Sequence, residues 1–304
     1  MEDILIIGAG TAGMTAAIYG ARAAKSVLMF EGKTYGGQIV PSPEVENYPA
    51  IKKTSGSEFA INLYEQATEL GAKMKSEEVT SIKVDGKNLS VVTSKETYNG
   101  KTIIIATGAK NRPLGLAREE ELIGKGISYC ATCDGAFFKG KTVAVVGGGN
   151  TALEDSSFLT GYCEKVYLIH RRDSFRGEEK LVERLKSKPN LEFILDTTVT
   201  ELIGEPNLQE IEISNVKTNT KSKLKVSGLF VAIGQVPQNG MFSPPVNLDE
   251  KGYIIAGEDC KTNVEGVFTA GDCRTKAVRQ LSTAAGDGTV AALNACEFIT
   301  MNYD

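Results

Sequence analysis

Residues 4–13 read ILIIGAGTAG, and residues 143–152 read VAVVGGGNTA. Each is a four-residue apolar run of the buried-strand type, then a glycine-rich turn, then a helix-like stretch. The two are in register: Gly8 plus 139 gives Gly147, Gly10 gives Gly149, and Gly13 stands opposite Ala152. At the same offset the next apolar run, VLMF at 27–30, falls on VYLI at 166–169. The chain therefore holds two βαβ units, each with a G-x-G-x-x-G/A turn between strand and helix. Glycines there let the backbone approach a pyrophosphate, and the helix N-terminus offers unpaired N–H groups and the positive end of a dipole. One such turn is a weak signal; two in register and in strand–turn–helix context are a strong one. The competing reading is a pair of tight structural turns.

A second pair of segments closes each copy. Residues 103–108 read IIIATG and 229–234 read LFVAIG, with Ala106 opposite Ala232 and Gly108 opposite Gly234. Between opening and closing segments lie β-rich stretches, at 79–98 and 191–225. The order is first domain, second domain, then a C-terminal return to the first. The predicted fold is α/β: two Rossmann-like, three-layer (ββα) dinucleotide-binding domains, the second inserted in the first. The boundaries fall at 1–112 with 241–304, and at 113–240.

The offset also distinguishes the two nucleotides. The second strand of the first copy ends at Glu31, a carboxylate that accepts hydrogen bonds from a ribose 2′-OH and repels a 2′-phosphate. The equivalent residue in the second copy is His170, followed by Arg171, Arg172 and Arg176. Guanidinium forks match phosphate geometry, so this strand end favours NADPH; the bland alternative is a solvated basic surface. The first domain is then the FAD site. Gly36, Gly37 and Gln38 form a tight turn with an amide for a flavin ring, and Asp272 ends a strand where a carboxylate can hold the ribityl chain. Arg279 and Gln280 precede a helix-like run at about 282–298, whose N-terminus would face the reduced flavin.

The predicted cofactor-lining positions of the first domain begin with Gly8, Gly10, Thr11, Ala12 and Gly13 in the turn, then Glu31 and Gly32. Gly36, Gly37, Gln38, Val79, Ala106, Thr107 and Gly108 follow, and the C-terminal return adds Gly271, Asp272, Arg279, Gln280 and Leu281. In the second domain they are Gly147, Gly149, Asn150, Thr151 and Ala152, then His170 with its three arginines, then Ile233 and Gly234.

Cys130-Ala131-Thr132-Cys133 is followed at once by Asp134. A zinc site needs two further ligands, and no second C-x-x-C or paired histidines exist. A pair just upstream of a nucleotide-binding strand, in a chain with a flavin site, reads as redox-active. Cys163, Cys260, Cys273 and Cys296 stand alone and read as small buried hydrophobes. The one histidine, His170, sits at the nucleotide end of the second domain, which excludes a His–Glu pair as the thiolate's proton source. Asp134 is the available acid, its alternative role being a cap or turn ahead of Gly135.

Composition narrows the partners. The 34 basic and 38 acidic residues are well mixed, with no basic stripe for nucleic acid. No apolar run approaches the roughly 18 residues of a membrane span. The start, Met1-Glu2-Asp3, lacks the basic region of a signal peptide, so a cytoplasmic location is expected.

GAGTAG, GGQ, ENYP at 46–49, ATG, CATCD, GGGNTA, HRRDSFR, GD and RQLSTAAG follow one another in the order found in bacterial-type, low-molecular-weight thioredoxin reductases, which the chain resembles over essentially its whole length. The resemblance implies FAD contacts by Glu31, Gln38, Asn47, Asp272, Arg279 and Gln280, and NADPH contacts by Asn150, Thr151 and the arginines. It implies that Cys133 lies nearest the flavin, that the protein is a homodimer, and that thioredoxin is the protein disulfide reduced. One departure is Thr11, where the family has proline; a threonine there can cap the helix. The rivals are a same-fold reductase of another protein disulfide, of ferredoxin or flavodoxin, or one fed by ferredoxin; a thiol oxidase; and a redox sensor without turnover. Because the cysteine pair and the NADPH turn ride on one domain, the sequence also predicts alternating domain orientations, hinged at 110–114 and 236–241.

Overall fold

The computed structural model describes residues 1–303. From the N-terminus come β1 (Glu2–Ile7), α1 (Thr11–Arg22), β2 (Val27–Phe30), α2 (Gly56–Glu69), β3 (Lys73–Lys75), β4 (Val79–Asp85), β5 (Asn88–Thr93) and β6 (Thr97–Ile105). β1 lies between β2 and β6 in parallel register, Ile7 beside Phe30 and Ile105. β6 changes partner along its length: its first half continues as an antiparallel meander with β5 and β4, leaving its second half for the parallel layer. The apolar run of β1 divides by the strand period of two. Ile4 and Ile6 pack into the helical side of the core, and Leu5 and Ile7 into the side covered by the meander.

After β7 (Ala109–Asn111) and β8 (Ile127–Ser128) the chain runs through α3 (Ala131–Asp134), β9 (Thr142–Gly147), α4 (Asn150–Leu159), β10 (Lys165–Ile169), α5 (Glu179–Lys186) and β11 (Leu191–Ile194). β12 (Thr197–Ile203), β13 (Glu210–Asn215) and β14 (Lys221–Lys225) form a second meander, and β15 (Gly228–Ala232) closes the unit. Its parallel sheet has the order β11-β10-β9-β15-β8. The alternation of β1 recurs on β9: Ala144 faces the meander, while Val143 and Val145 face α4 and its neighbours.

β16 (Gln235–Pro237) leads back to the first unit, where β17 (Val267–Thr269) pairs with the second half of β6 and α6 (Leu281–Tyr303) ends the described chain. The sequence predicts this helix only to about 298. It continues because Ile299 is fully buried and Tyr303 donates from its hydroxyl to Lys87 O at 2.9 Å. Gly288 crosses α1 so closely that a Cβ would stand 2.3 Å from Ala12 O.

The fold divides into two units, Met1–Lys110 with Val236–Asp304, and Asn111–Gln235. β7 and β16 form the two crossings and pair with each other as a two-stranded ribbon, with Gln235 Nε2 donating to Asn111 Oδ1 at 2.9 Å. No helix among the described residues is long and apolar enough to cross a membrane.

The repeat is visible atom by atom. A Cβ on Gly8 would lie 2.4 Å from Ala106 O, and one on Gly147 would lie 2.4 Å from Ala232 O. Gly147→Ala is therefore expected to destabilise the second unit by about 1–3 kcal/mol, the usual range for overpacking. Amide hydrogen exchange should quicken in β9, β10 and β15 and stay unchanged in β1, β2 and β6.

Candidate functional site

In the first unit the glycine turn is tied to the strand beside it. Glu31 accepts from Ala9 N–H at 3.1 Å and from Lys33 N–H at 3.0 Å. Gly36 N–H donates to Ala9 O at 2.7 Å, and the Gln38 amide donates to Ala109 O. A Cβ on Gly10, at the N-terminus of α1, or on Gly108, at the end of β6, would meet no atom within 4 Å, so both strand ends open onto free space. Thr11 does not cap α1: the cap is Gly10, without a side-chain bond, and Thr11 is the first helical residue. That position also suits proline, whose missing N–H is spare there.

The C-terminal return supplies the rest. Asp272 Oδ1 is buried and has no hydrogen-bond partner, the mark of a carboxylate aimed at something it would bind. Burial pushes its carboxyl up, against the pull of Lys276 and Arg279. Arg279 lies over the Tyr253 ring, 4.3 Å from its centroid, and donates to Asp272 O at 3.4 Å. Asn47 donates to Gln280 Oε1 at 3.4 Å. Val79 is buried in β4, and Gly32 abuts Glu78.

Several residues that position this cradle escape the sequence reading. Arg274, 1% exposed, makes two 2.8 Å contacts with the Asp287 carboxylate. Lys276 Nζ lies 2.8 Å from Asp287 Oδ2, and Gly271 N–H donates to it at 2.9 Å. Asp287 thus clamps α6 onto the 271–276 loop that carries Asp272. Asn239, fully buried, accepts from Thr107 at 3.1 Å and donates to Cys273 O at 2.8 Å, joining the end of β6 to the same loop. A lone aspartate between glycines 286 and 288 in an alanine-rich helix was the one available signal.

In the second unit Gly149 caps α4, and neither Gly149 nor Gly234 has an atom within 4 Å of its Cβ position. Gly148 O accepts from the N–H groups of Arg176 at 2.7 Å and Gly177 at 3.2 Å, which brings the arginine loop to the glycine turn. His170 forms the wall behind it. A Cβ on Gly148 would stand 2.1 Å from the imidazole, which stacks on Phe175 and leaves Nε2 buried without a partner. Burial pushes this imidazole down, and the charges of Arg176, Arg172 and Arg171 act in the same direction. All three arginines are exposed. Asn150 is engaged with Glu178, accepting from its N–H at 2.8 Å and donating to its carboxylate at 3.2 Å. Thr151 is exposed, Ala152 is buried under the turn and Ile233 is half-buried at the end of β15.

The reactive pair lies in this same unit. Cys130 and Cys133 are joined as a disulfide across the single turn α3, with Cα atoms 5.3 Å apart. Cys130 O accepts from Cys133 N–H at 3.3 Å and Asp134 N–H at 3.1 Å. Burial raises the Asp134 carboxyl, and a 2.6 Å hydrogen bond from Ser128 partly offsets the rise. The approach is held by Glu119, 3% exposed, which accepts from the N–H groups of Leu114 and Gly115 and from the Tyr129 hydroxyl at 2.7 Å. Of the four other cysteines, burial raises Cys163 to about 11 and Cys260 to about 12, and lifts Cys273 and Cys296. They are thiols, not working thiolates.

The pyridine nucleotide-disulphide oxidoreductase family profile matches residues 2–288. A relative from Listeria innocua described as thioredoxin reductase is 42% identical, over 98% of this chain and 93% of its own. One from Mycobacterium leprae, described as bifunctional thioredoxin reductase/thioredoxin, is 40% identical over 97% of this chain and 65% of its own. The crystal structure of thioredoxin reductase from Streptococcus pyogenes superposes with a TM-score of 0.95 at 39% identity, covering 99% of each chain.

The Asp287 clamp generates a prediction. Burial raises this carboxyl, but Arg274, Lys276 and Gly271 N–H together outweigh it, so its folded pKa lies below the ordinary 3.8. A depressed folded value means stability that is complete above 3.8 and is lost as pH falls towards the folded value. Asp287→Asn should cost about 3–5 kcal/mol at neutral pH, the range for leaving a buried partner uncompensated. It should also flatten the acid limb of the first unit's stability, read by denaturant titration at pH 7 and near pH 3. With fold, paired glycine turns and disulfide all in agreement, the chain belongs to the pyridine nucleotide-disulphide oxidoreductase family, on its thioredoxin reductase branch.

Proposed function

We propose that this chain is an FAD-containing, NADPH-dependent thioredoxin-disulfide reductase. The observation that carries the reading is the Cys130–Cys133 disulfide, set beside a half-buried acid in a unit whose arginine-bearing loop is tied to its glycine turn through Arg176. FAD held there would supply the chemistry of accepting a hydride from NADPH and passing the electron pair to the disulfide.

The residues fit both groups. Glu31 and the open strand ends at Gly10 and Gly108 suit the ribose and pyrophosphate of FAD, and the unpartnered Asp272 Oδ1 suits a ribityl hydroxyl. Gln38, Asn47, Arg279 and Gln280 stand around the same loops and orient the ring. Arg171, Arg172 and Arg176 are the groups for the 2′-phosphate, and the space at Gly149 and Gly234 suits the pyrophosphate. Asp134, whose carboxyl burial pushes up, delivers a proton to a sulfur of the opened pair. A thiolate of that pair then attacks the thioredoxin disulfide, and the mixed disulfide resolves to leave thioredoxin reduced and the pair oxidised. The Mycobacterium leprae relative, whose description joins thioredoxin reductase with thioredoxin, supports this partner.

Cys133 lies about 14 residues before Gly147, so disulfide and nicotinamide ride on one unit while the flavin belongs to the other. Both must reach one flavin ring, so the units take turns by reorienting about the β7–β16 ribbon. A crosslink between the units that left turnover at its full rate would contradict this.

The purified yellow protein should oxidise NADPH rapidly, and only with thioredoxin present, in an anaerobic assay with NADH as control. Cys130→Ser and Cys133→Ser should each abolish that turnover. Arg176→Ala should raise the KM for NADPH about tenfold, the worth of one charge-assisted hydrogen bond, without changing the weak activity with NADH. Flavin reduction without thioredoxin-dependent turnover would keep the cofactors and overturn the partner.

A further inference from the structure

Ser128, the last residue of β8, is 4% exposed and makes three contacts from one hydroxyl. Its Oγ accepts from Cys130 N–H at 3.0 Å, lies 2.6 Å from Asp134 Oδ2 and lies 3.3 Å from Cys130 O. A hydroxyl has one proton and two lone pairs. Cys130 N–H occupies one lone pair throughout. With Asp134 ionised, only Ser128 can supply the proton in the 2.6 Å contact. With Asp134 protonated, the carboxyl O–H can donate to the remaining lone pair, and the serine proton must turn elsewhere. The Cys130 carbonyl is the acceptor in reach.

That carbonyl already accepts from Cys133 and Asp134 N–H, the two bonds that close the turn across the disulfide. A carbonyl oxygen has two lone pairs, so the serine proton arrives as a third donor. The protonation state of Asp134 is thereby felt in the backbone that holds the sulfurs.

We infer that Ser128 is a positioning residue for proton delivery, its hydroxyl switching between the Asp134 carboxylate and the Cys130 carbonyl as Asp134 gains and loses its proton. This rests on the reading of Asp134 as the acid. When Asp134 acts, its O–H bond breaks and an S–H bond forms on the thiolate left by reduction of the pair. No oxidation state changes in that step, and the serine hydroxyl turns back to meet the new carboxylate. α4, packed against α3, contributes Glu154 and Asp155, the latter raised to about 7 by burial and then by Glu154. Residues 135–138 (GAFF) and β15 bring no titratable group. Burial and Ser128 are the two influences resolved on Asp134 itself.

The test is a carboxyl NMR titration of the oxidised full-length protein, with the Asp134 resonance assigned by its loss in Asp134→Asn. Ser128→Ala removes the bond that lowers the Asp134 midpoint, so the midpoint should rise by about one unit. Ser128→Thr keeps the hydroxyl and should restore the native value. The alkaline limb of thioredoxin-dependent turnover should move with the midpoint in each variant. A midpoint and limb unmoved in Ser128→Ala, with turnover lowered equally at every pH, would reduce Ser128 to a support for Cys130 and overturn the inference. If the limb survives in Asp134→Asn, the acid reading fails and the inference falls with it. If the limb vanishes there but ignores Ser128→Ala, the inference alone fails.

Discussion

At the end of β1 the carbonyl of Ala106 occupies the place a Cβ on Gly8 would need, and at the end of β9 the carbonyl of Ala232 does the same to Gly147. Backbone packs on backbone at both points, and no side chain fits between. That closeness brings the central strand and the returning strand to a common edge, where the helix N-terminus opens beyond them. Gly10 and Gly108 in the first unit, and Gly149 and Gly234 in the second, open onto free space at this edge. The apolar alternation of β1 and β9 then supplies each unit with two faces of core, one helical and one under a meander.

On two equivalent frames, small differences decide chemistry. Position 31 carries a carboxylate bonded to its own glycine turn, and the position 139 residues on carries a buried imidazole backed by arginines. The first unit also receives a charge clamp of Asp287, Arg274 and Lys276 that holds the 271–276 loop against α6. The second receives the disulfide. The β7–β16 ribbon carries both crossings between the two units.

The repeat, the strand ends, the arginine cluster and the cysteine pair were legible because each demands a residue type at a fixed spacing. A glycine with a carbonyl 2.4 Å from its missing Cβ leaves a mark that residue type and spacing reveal. What stayed hidden are single polar residues meeting across long separations. Asn239 bonds to Cys273 over 34 residues and to Thr107 over 132, and nothing periodic announces either contact. Ser128 and Glu119 belong to no motif, and only the fold brings them beside Asp134 and Tyr129. Thr11 could have capped the helix, but it is the first helical residue; a threonine near a helix start suits both positions, and only the backbone tells them apart.

The most direct test of the whole account is thiol trapping after addition of one electron pair. The oxidised, FAD-loaded protein would receive one equivalent of NADPH anaerobically, then an alkylating agent, and the labelled cysteines would be located by mass spectrometry. The account predicts label on Cys130 and Cys133, none on Cys163, Cys260, Cys273 or Cys296, and far slower labelling with NADH. Equal labelling by NADH, or an intact Cys130–Cys133 disulfide beside consumed NADPH, would contradict it.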